Sequence, residues 1–407
     1  MSSPNNGAET SSPAEQAGPT MNFATHLKRT VRLAVPMIIA RAGLLIMVAV
    51  DTAMIGHYGT LDLAFYAAAN ALQAVMILVS VGLLQGTVVC DMTLPSIDLP
   101  GASPQKKAAA PGRFAAQGFD FVSLTVAVDD ADMAEAMRLI ARERRAIEAR
   151  PEAFVLVESV ADIKRARRQG KLGIGFHFQG TGPVGRNLDL VALYYKLGIR
   201  HMLLAYNQRN LVGNGCHELA DDGLSRFGFE LIAEMNRVGM LVDVAHCGLQ
   251  TSMQAIEASA APVIVSQGNV KAIFEHPRCY SDDQIKALAA SGGVIGLTGI
   301  GIFMGDNDTS AATYARSLDY VAQLVGPDHV GFGFDYFYDM PALIAFSQTM
   351  ADRFPKDGGY TRPDAAQVEP EQLVDIVAEL ARLGWGDEDL RKIVGGNWFR
   401  IMGQVWK

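Results

Sequence analysis

From Asp91 to the C-terminus the sequence alternates between short β-rich runs and amphipathic stretches, and this alternation restricts the fold more than any other feature. The β-rich runs cover residues 119–127, 171–178, 199–206, 240–246, 261–267, 292–300 and 329–335. Stretches with helical spacing of apolar residues lie between them, at 132–149, 187–197, 224–238, 250–259, 281–291 and 311–325. Strand–helix alternation over about 310 residues predicts a parallel α/β sheet, and the number of repeats favours a closed (β/α)8 TIM barrel.

The first 90 residues have a different composition. Residues 1–20 are rich in Ser, Pro, Asn and Gly, which predicts a disordered tail. Apolar stretches at 33–50 and 64–89 could each cross a hydrocarbon core of about 30 Å as a helix. Positive charge flanks both stretches and is missing from the loop 51–62, so we predict a transmembrane hairpin at 21–89 with both ends cytoplasmic. A cleaved signal peptide and two buried helices of a soluble domain are the alternatives.

The hydrophobic segment also carries a resemblance of its own. The run LAVPMIIARAGLLIMVAVDTAMIGHYGTLDLAFYAAA resembles the first two helices of a multidrug and toxin extrusion (MATE) transporter. Two helices cannot form the two-bundle pathway of such transporters, so we interpret residues 21–89 as an anchor or a fused fragment. The expected domains are a tail at 1–20, the hairpin at 21–89 and the barrel at 90–407. The barrel is then expected in the cytoplasm, either anchored to a lipid bilayer through residues 31–89 or free if the hairpin is not inserted.

Charge and cysteine content exclude some partners. The net charge of −8 argues against a nucleic-acid partner, since phosphate binding needs a basic surface. The four cysteines are widely spaced and include no CxxC pair, which favours free thiols over a disulfide framework or a zinc cluster. Oligomeric state is left open, a homo-oligomer included.

Several β-rich runs end in polar residues, and the carboxyl ends of barrel strands usually carry the chemistry. These residues are Gln179, Tyr206, His246, Gln267 and Asp335. His246 and Asp335 could be metal ligands, or a base and the group that orients it. Arg278, which follows another strand, is suited to bind a carboxylate in bidentate fashion. Each of these residues could instead be a satisfied structural group, and His177 is expected in the core.

Long segments of the barrel region resemble the membrane (renal) dipeptidase family, peptidase family M19. They include LGIRHMLLAYNQRN, GLSRFGFELIAEMNRVGMLVDVAH, APVIVSQGNVKAIFEHPRCYSDDQIKALAASGGVIG, GPDHVGFGFD and LRKIVGGNWFRI, in the family's order and spacing. The resemblance covers roughly residues 90–407. It implies a barrel of the metallo-dependent hydrolase type with two zinc ions at its mouth, where a bridging water attacks the peptide bond of a dipeptide.

The zinc ligands of the family are mostly replaced in this chain. Thr93 and Pro95 stand where the family has a His-x-Asp pair at the end of the first strand. Gln179 replaces the bridging Glu, Gln267 replaces a zinc-binding His, and Tyr206 replaces a His that binds substrate. The retained positions are His246, Arg278 and Asp335. The resemblance therefore implies an altered metal site, because losing several ligands weakens a metal centre severely.

These observations predict a dipeptidase-like hydrolase that cleaves a small peptide or related amide. The candidate catalytic pair is Asp335 and His246, and the candidate substrate-binding residues are Arg278, Tyr206, Gln179 and Gln267. The expected cofactor is zinc or another divalent metal, with one ion or none bound. The candidate ligands are His246, Asp335 and Asp91, and Asp98 or His177 are further candidates. A relative without catalytic ligands that only binds a small molecule or peptide is the alternative. A membrane or transport role of residues 21–89 is a third hypothesis.

Overall fold

The structure is a computed structural model that describes residue 77 and residues 80–407. Its strands are β1 Cys90–Pro95, β2 Phe121–Val128, β3 Phe154–Leu156, β4 Leu172–Gln179, β5 Ile199–Leu203, β6 Leu241–Asp243, β7 Ile264–Val270, β8 Cys279–Tyr280, β9 Val294–Leu297 and β10 Val330–Phe332. Eight of them close a ring in the order β1, β2, β4, β5, β6, β7, β9 and β10, and every pairing is parallel. The short strands β3 and β8 add to the outside of β4 and β7.

Helices follow most strands and surround the ring. They are α1 Pro104–Gln117, α2 Met133–Glu148, α3 Val160–Arg168, α4 Asp189–Lys196, α5 Arg226–Val238, α6 Leu249–Ala258, α7 Asp282–Ala290, α8 Ala311–Val325, α9 Met340–Thr349, α10 Leu373–Arg382, α11 Asp387–Arg391 and α12 Asn397–Val405. Local sequence fixes several of their ends. Ser281 and Gln284 form a capping box at the start of α7, and Gly239 ends α5 with a φ of 87°, a conformation that glycine adopts without strain.

The C-terminal helix closes the amino end of the barrel. Trp398, Ile401 and Met402 of α12 pack against apolar side chains at or near the beginnings of the strands, namely Cys90, Met92, Phe121, Leu241, Ile264 and Val294. The indole N–H of Trp398 donates to the backbone oxygen of Phe332 at 3.0 Å. One end of the barrel is thereby filled with apolar side chains, and the polar side chains that end the strands lie at the other end.

The predicted alternation is confirmed, because each β-rich run contains a barrel strand and each amphipathic stretch contains a helix. The predicted tail and most of the hairpin at 21–89, with its resemblance to a transporter, lie outside the described residues and stay predictions. Leu83 and Leu84, just before β1, are buried in the barrel's main apolar core. Within the described part of the chain, no helix is long and apolar enough to cross a membrane.

Candidate functional site

Polar side chains from several strands meet at the carboxyl end of the barrel. Gln179 ends β4, and His246, Gln267 and Asp335 lie in or just after β6, β7 and β10. Arg278 immediately precedes β8, which pairs with β7. All five are buried, with exposures between 0% and 6%. Such a concentration of buried polar groups is costly unless the groups bind one another or a ligand. We call this cluster the mouth site.

The backbone is strained at the mouth site. His246 and Asp335 have φ values of 63° and 55°, and Asn207, which follows β5, has a φ of 60°. Positive φ is unfavourable for residues with a side chain and costs on the order of 1–3 kcal/mol where it persists. Such strain tends to occur at functional sites, where it fixes the direction of a side chain.

The ring of His246 has a defined tautomer. Its Nδ1 lies 2.7 Å from Oδ1 of Asn207, whose Nδ2 donates to the backbone oxygen of Arg353, so Nδ1 of His246 carries the hydrogen. Nε2 therefore presents its lone pair, and it has no hydrogen-bond partner within the described chain. Burial, and then the charge of Arg278, lower the pKa of His246 well below its usual value. The ring of Tyr206 stacks on the imidazole with centroids 3.9 Å apart.

Arg278 and Asp335 both present atoms without protein partners. Nη2 of Arg278 donates to the backbone oxygen of Gln267 at 3.0 Å, whereas its Nε and Nη1 have no partner among the residues described. Oδ1 of Asp335 is equally unpartnered. Burial raises the pKa of Asp335 to about 7, and the nearby charge of Arg278 acts in the opposite direction. Asp282, a possible partner for Arg278 in the sequence, instead accepts from Tyr320.

The two glutamines at the mouth form hydrogen bonds with hydroxyl groups. Thr93 donates to Oε1 of Gln267 at 2.6 Å, and Ser266 donates to the same oxygen. Nε2 of Gln267 has no partner in the part of the chain that the structure describes. Nε2 of Gln179 donates to Oγ1 of Thr125 at 3.0 Å. Gln179 and Gln267, which the resemblance aligns with zinc ligands of the family, therefore form hydrogen bonds with side chains of other strands.

Three further metal candidates have structural roles. Asp91 is fully buried, and its two carboxylate oxygens accept the backbone N–H groups of Thr93 and Phe334. Burial raises the pKa of Asp91 to about 7. Asp98 is exposed and pairs with Lys107 and Arg142 outside the barrel. His177 is a fully buried core residue, as expected, bonded to Ser123 and Thr125.

The donor set does not fit the family's metal centre. At the mouth site, Nε2 of His246 and Oδ1 of Asp335 are the only buried metal-binding atoms of His, Asp or Glu that lack a hydrogen-bond partner among the described residues. Across residue 77 and residues 80–407 no three His, Cys, Asp or Glu side chains are grouped to hold a metal ion, so Asp91 does not complete a ligand set with these two. Protein zinc sites use three or four ligands. We therefore derive no chemical step through a metal.

The segment 350–360, which follows α9, covers the mouth site, and we call it the strap. Its backbone oxygens at Arg353 and Gly358 accept from Asn207 and His276. Its Tyr360 hydroxyl lies 2.7 Å from Nε2 of His217. Phe354 packs edge-on against Tyr206, which in turn stacks on His246. Aromatic side chains of the strap and of the segment after β5 therefore lie beside His246.

Sequence reasoning missed Asn207 and the strap. Asn207 lies in the quoted segment LGIRHMLLAYNQRN, next to Tyr206, and an Asn that directly follows a strand end is the signal that could have been used. The strap has no regular periodicity, and its position over the mouth depends on contacts with residues more than 70 positions away. No local pattern predicts such contacts.

A family model covers this site. Residues 109–345, more than half of the chain, match the model described as membrane dipeptidase (Peptidase family M19). The chain belongs to the membrane dipeptidase family. The curated relative Dipeptidase verJ of Clonostachys rogersoniana is 28% identical over 255 residues, which are 61% of this chain and 60% of that protein. The match thus spans less than two thirds of the length of that relative.

Solved structures of similar proteins agree with this membership. An amidohydrolase from Pseudomonas aeruginosa has a TM-score of 0.70 and 29% identity, over 80% of this chain and 99% of that chain. A metallo peptidase from Rhodobacter sphaeroides, liganded with a phosphinate mimic of the dipeptide L-Ala-D-Ala, has a TM-score of 0.63 and 18% identity, over 79% of this chain and 100% of that chain. The second likeness shows a shared fold. The relatives in this family point to divalent-metal chemistry, and the residues at the mouth site depart from it.

Proposed function

We propose that this chain is a hydrolase of the membrane dipeptidase family that acts on a small compound of the dipeptide type at the mouth site. The observation that carries the proposal is the set of unpartnered polar atoms on four residues of the mouth site. These atoms are Nε2 of His246, Nε2 of Gln267, Nε and Nη1 of Arg278, and Oδ1 of Asp335. Buried polar atoms without partners are unfavourable in a folded protein, so together they favour a polar ligand.

Arg278 determines the charge of that ligand. Its guanidinium is almost fully buried, and two of its three nitrogens lack an acceptor among the described residues. A buried cation with no anion in hydrogen-bond contact is destabilising, and a carboxylate is the acceptor that a guanidinium binds best. The carboxylate of a dipeptide would supply that anion. The contacts of the strap with Asn207 and His276, beside the mouth site, favour a small substrate.

The remaining groups suit the hydrolysis of an amide. The lone pair at Nε2 of His246 can take a proton from an attacking water and return it to the leaving nitrogen, while the hydroxyl part adds to the carbonyl carbon and the C–N bond breaks. Asn207 holds the ring in the required tautomer. The free N–H groups of Gln267 can donate to the carbonyl oxygen as negative charge develops on it. In this arrangement Asn207, rather than Asp335, is the group that orients the histidine.

A second function is supported by one observation. The resemblance aligns Thr93, Gln267 and Gln179 with metal ligands of the family, and each of these side chains forms a hydrogen bond with another side chain of the barrel, as in a site that has been retained for binding. On this alternative the chain binds a carboxylate-bearing molecule or peptide without cleaving it.

Release of amino acids from a panel of dipeptides separates the two functions. The purified full chain is assayed after chelation and again with added zinc, alongside Arg278→Met and His246→Asn. Hydrolysis that both substitutions abolish supports the proposal. Dipeptide binding without hydrolysis under either condition supports the alternative, and hydrolysis that Arg278→Met leaves unchanged contradicts both.

A further inference from the structure

A continuous chain of hydrogen bonds runs through the interior of the barrel and ends at the mouth site. It connects side chains of β2, β4, β5 and β6, in the order Asp243, His201, Ser123, His177, Thr125 and Gln179. Each of these residues is at most 3% exposed. The two imidazole rings stack on each other with centroids 4.2 Å apart. We call these six residues the interior chain.

The direction of the interior chain follows from the carboxylate at its inner end. Oδ1 of Asp243 accepts the backbone N–H groups of Ala245 and Ser266. Its Oδ2 lies 3.0 Å from Nδ1 of His201, and a carboxylate can only accept, so Nδ1 carries the hydrogen. With a neutral ring, Nε2 of His201 has a lone pair and must accept from the hydroxyl of Ser123 at 2.9 Å.

The remaining bonds are then determined one by one. A hydroxyl has a single hydrogen, so Ser123, which donates to His201, must accept from Nδ1–H of His177 at 2.9 Å. Nε2 of His177 accordingly accepts from the hydroxyl of Thr125, also at 2.9 Å. The oxygen of Thr125 can then only accept, and the group 3.0 Å away must be the amide N–H of Gln179. The orientation of that amide is fixed by a carboxylate on another strand.

The environment of His177 favours the neutral form of its ring. The rings of His177 and His201 are fully buried and nearly parallel, with 16° between their planes. Burial, followed by the proximity of His201, lowers the pKa of His177 well below its usual value. A hydrogen on Nε2 of His201 as well would keep the bond to Asp243 and reverse the other four bonds of the chain. Gln179 would then have to accept from Thr125, whereas its Nε2 donates to Thr125.

We propose that the interior chain holds Gln179 with its carbonyl oxygen towards the mouth, where it accepts a hydrogen bond from the amino group of the ligand. This inference rests on the proposed function and adds the second recognition point of the substrate. The hydrogen bond of Gln179 to Thr125 uses Nε2, which leaves Oε1 on the other side of the amide group. Gln179 ends β4, and Arg278 lies next to β8, which pairs with β7. In the ring, β5 and β6 lie between β4 and β7. A ligand with a carboxylate at one end and an amine at the other fits these two positions.

Binding of two matched probes tests the role of Gln179. L-alanyl-D-alanine carries an amine that N-propionyl-D-alanine lacks, and the two molecules are otherwise alike. The full chain should bind the dipeptide roughly 10- to 100-fold more tightly, as expected for a hydrogen bond that involves a charged group. Gln179→Met should bring this ratio close to one. An unchanged ratio in Gln179→Met overturns the proposal.

Variants at Thr125 test the interior chain itself, since Thr125 is a positioning residue with no place in the proposed binding of the ligand. Thr125→Val keeps the shape and removes the hydroxyl, so the ratio should fall towards one. Thr125→Ser keeps the hydroxyl and should retain the ratio. Ser252→Ala, which removes a buried hydroxyl outside the interior chain, is the matched control and should also retain it. Equal ratios in the Val and Ser variants overturn the positioning role.

The ring tautomers provide a readout that needs no ligand. Long-range proton–nitrogen NMR spectra of the full chain with labelled histidine should show both His177 and His201 protonated at Nδ1 alone. A ring protonated at Nε2, or an imidazolium, overturns the inferred direction of the chain. This result is independent of whether dipeptides bind. Failure of both probes to bind despite the expected tautomers would instead reject the proposed function and, with it, the ligand role of Gln179.

Discussion

Thr93 donates a hydrogen bond of 2.6 Å to Gln267 across the mouth of the barrel, where the resemblance to the family places two zinc-binding residues. The two side chains come from β1 and β7 and are both fully buried. The hydroxyl of Thr93 and the amide oxygen of Gln267 bind each other, so these two atoms need no cation between them. We interpret this pair as a local departure from the metal centre that the resemblance implies.

We expect the replaced ligands to lower the metal content of the chain. The full chain, purified from medium that contains zinc and manganese, is expected to hold well below one metal ion per molecule, since lost ligands reduce affinity by large factors. A variant that combines Thr93→His, Pro95→Asp, Gln179→Glu and Gln267→His should gain metal. Elemental analysis measures both. Stoichiometric metal in the unmodified chain would show that other residues have rebuilt the site.

Replacement of Arg278 should separate binding from stability. Arg278→Met removes the ligand's carboxylate partner, so affinity for a dipeptide should fall by roughly 10- to 100-fold. The same change removes a buried charge with two unpartnered nitrogens, so the melting temperature without ligand should be unchanged or higher. Calorimetry of the free and liganded protein measures both effects. A large loss of stability with unchanged affinity would assign Arg278 a structural role only.

Stability should depend on pH through His276. Its Nδ1 accepts the backbone N–H of Arg278 at 3.0 Å and its Nε2 donates to Gly358, which requires the neutral ring. Burial lowers the pKa of His276 to about 4, against a usual value near 6.5. The unfolded chain therefore takes up this proton first, and the contribution of His276 to stability is present above about pH 6.5 and is lost as the pH falls towards 4.

Denaturant titrations at pH 7.5, 6 and 5 measure this dependence. His276→Asn retains an acceptor for Arg278 and removes the titrating ring, so the loss of stability between pH 7.5 and 5 should be smaller than in the unmodified chain. An equal or larger loss in the variant would show that His276 does not contribute to the pH dependence.

The strap should open locally when its ion pair is weakened. Arg353 pairs with Asp130 through Nη1 and Nη2 of its guanidinium, and its backbone oxygen accepts from Asn207. Asp130 is more than half exposed, so the pair contributes at most about 1 kcal/mol. Asp130→Asn should therefore accelerate hydrogen exchange of residues 350–360 by roughly fivefold and leave the barrel strands unchanged. Uniformly faster exchange would indicate global destabilisation instead.

The sequence predicted the barrel well because its signals are local. Apolar runs such as those around Val242 and Val265 need a buried parallel sheet, and the helices between them leave few alternatives. Polar residues at strand ends also identified the mouth site, because all carboxyl ends of a parallel barrel meet at one side. His246, Gln267 and Asp335 were found in this way.

Hydrogen-bond partners could not be predicted in the same way. Asn207 orients His246 from 39 residues away, and Asp243 is connected to Gln179 through four intermediate side chains on β5, β2 and β4. Such relations depend on strand register and on the number of hydrogens that each group carries. The suggestion of Asp91 as a ligand arose from its place at the first strand, whereas its carboxylate is occupied by two backbone N–H groups.

We propose that the mouth site binds a dipeptide through Arg278. A calorimetric titration of L-alanyl-D-alanine into the metal-stripped full chain tests this binding most directly. We predict binding at one site per chain, reduced at least tenfold in Arg278→Met and unchanged in the control Ser252→Ala. Absence of binding by the unmodified chain, or equal binding by the Arg278→Met variant, would contradict the claim.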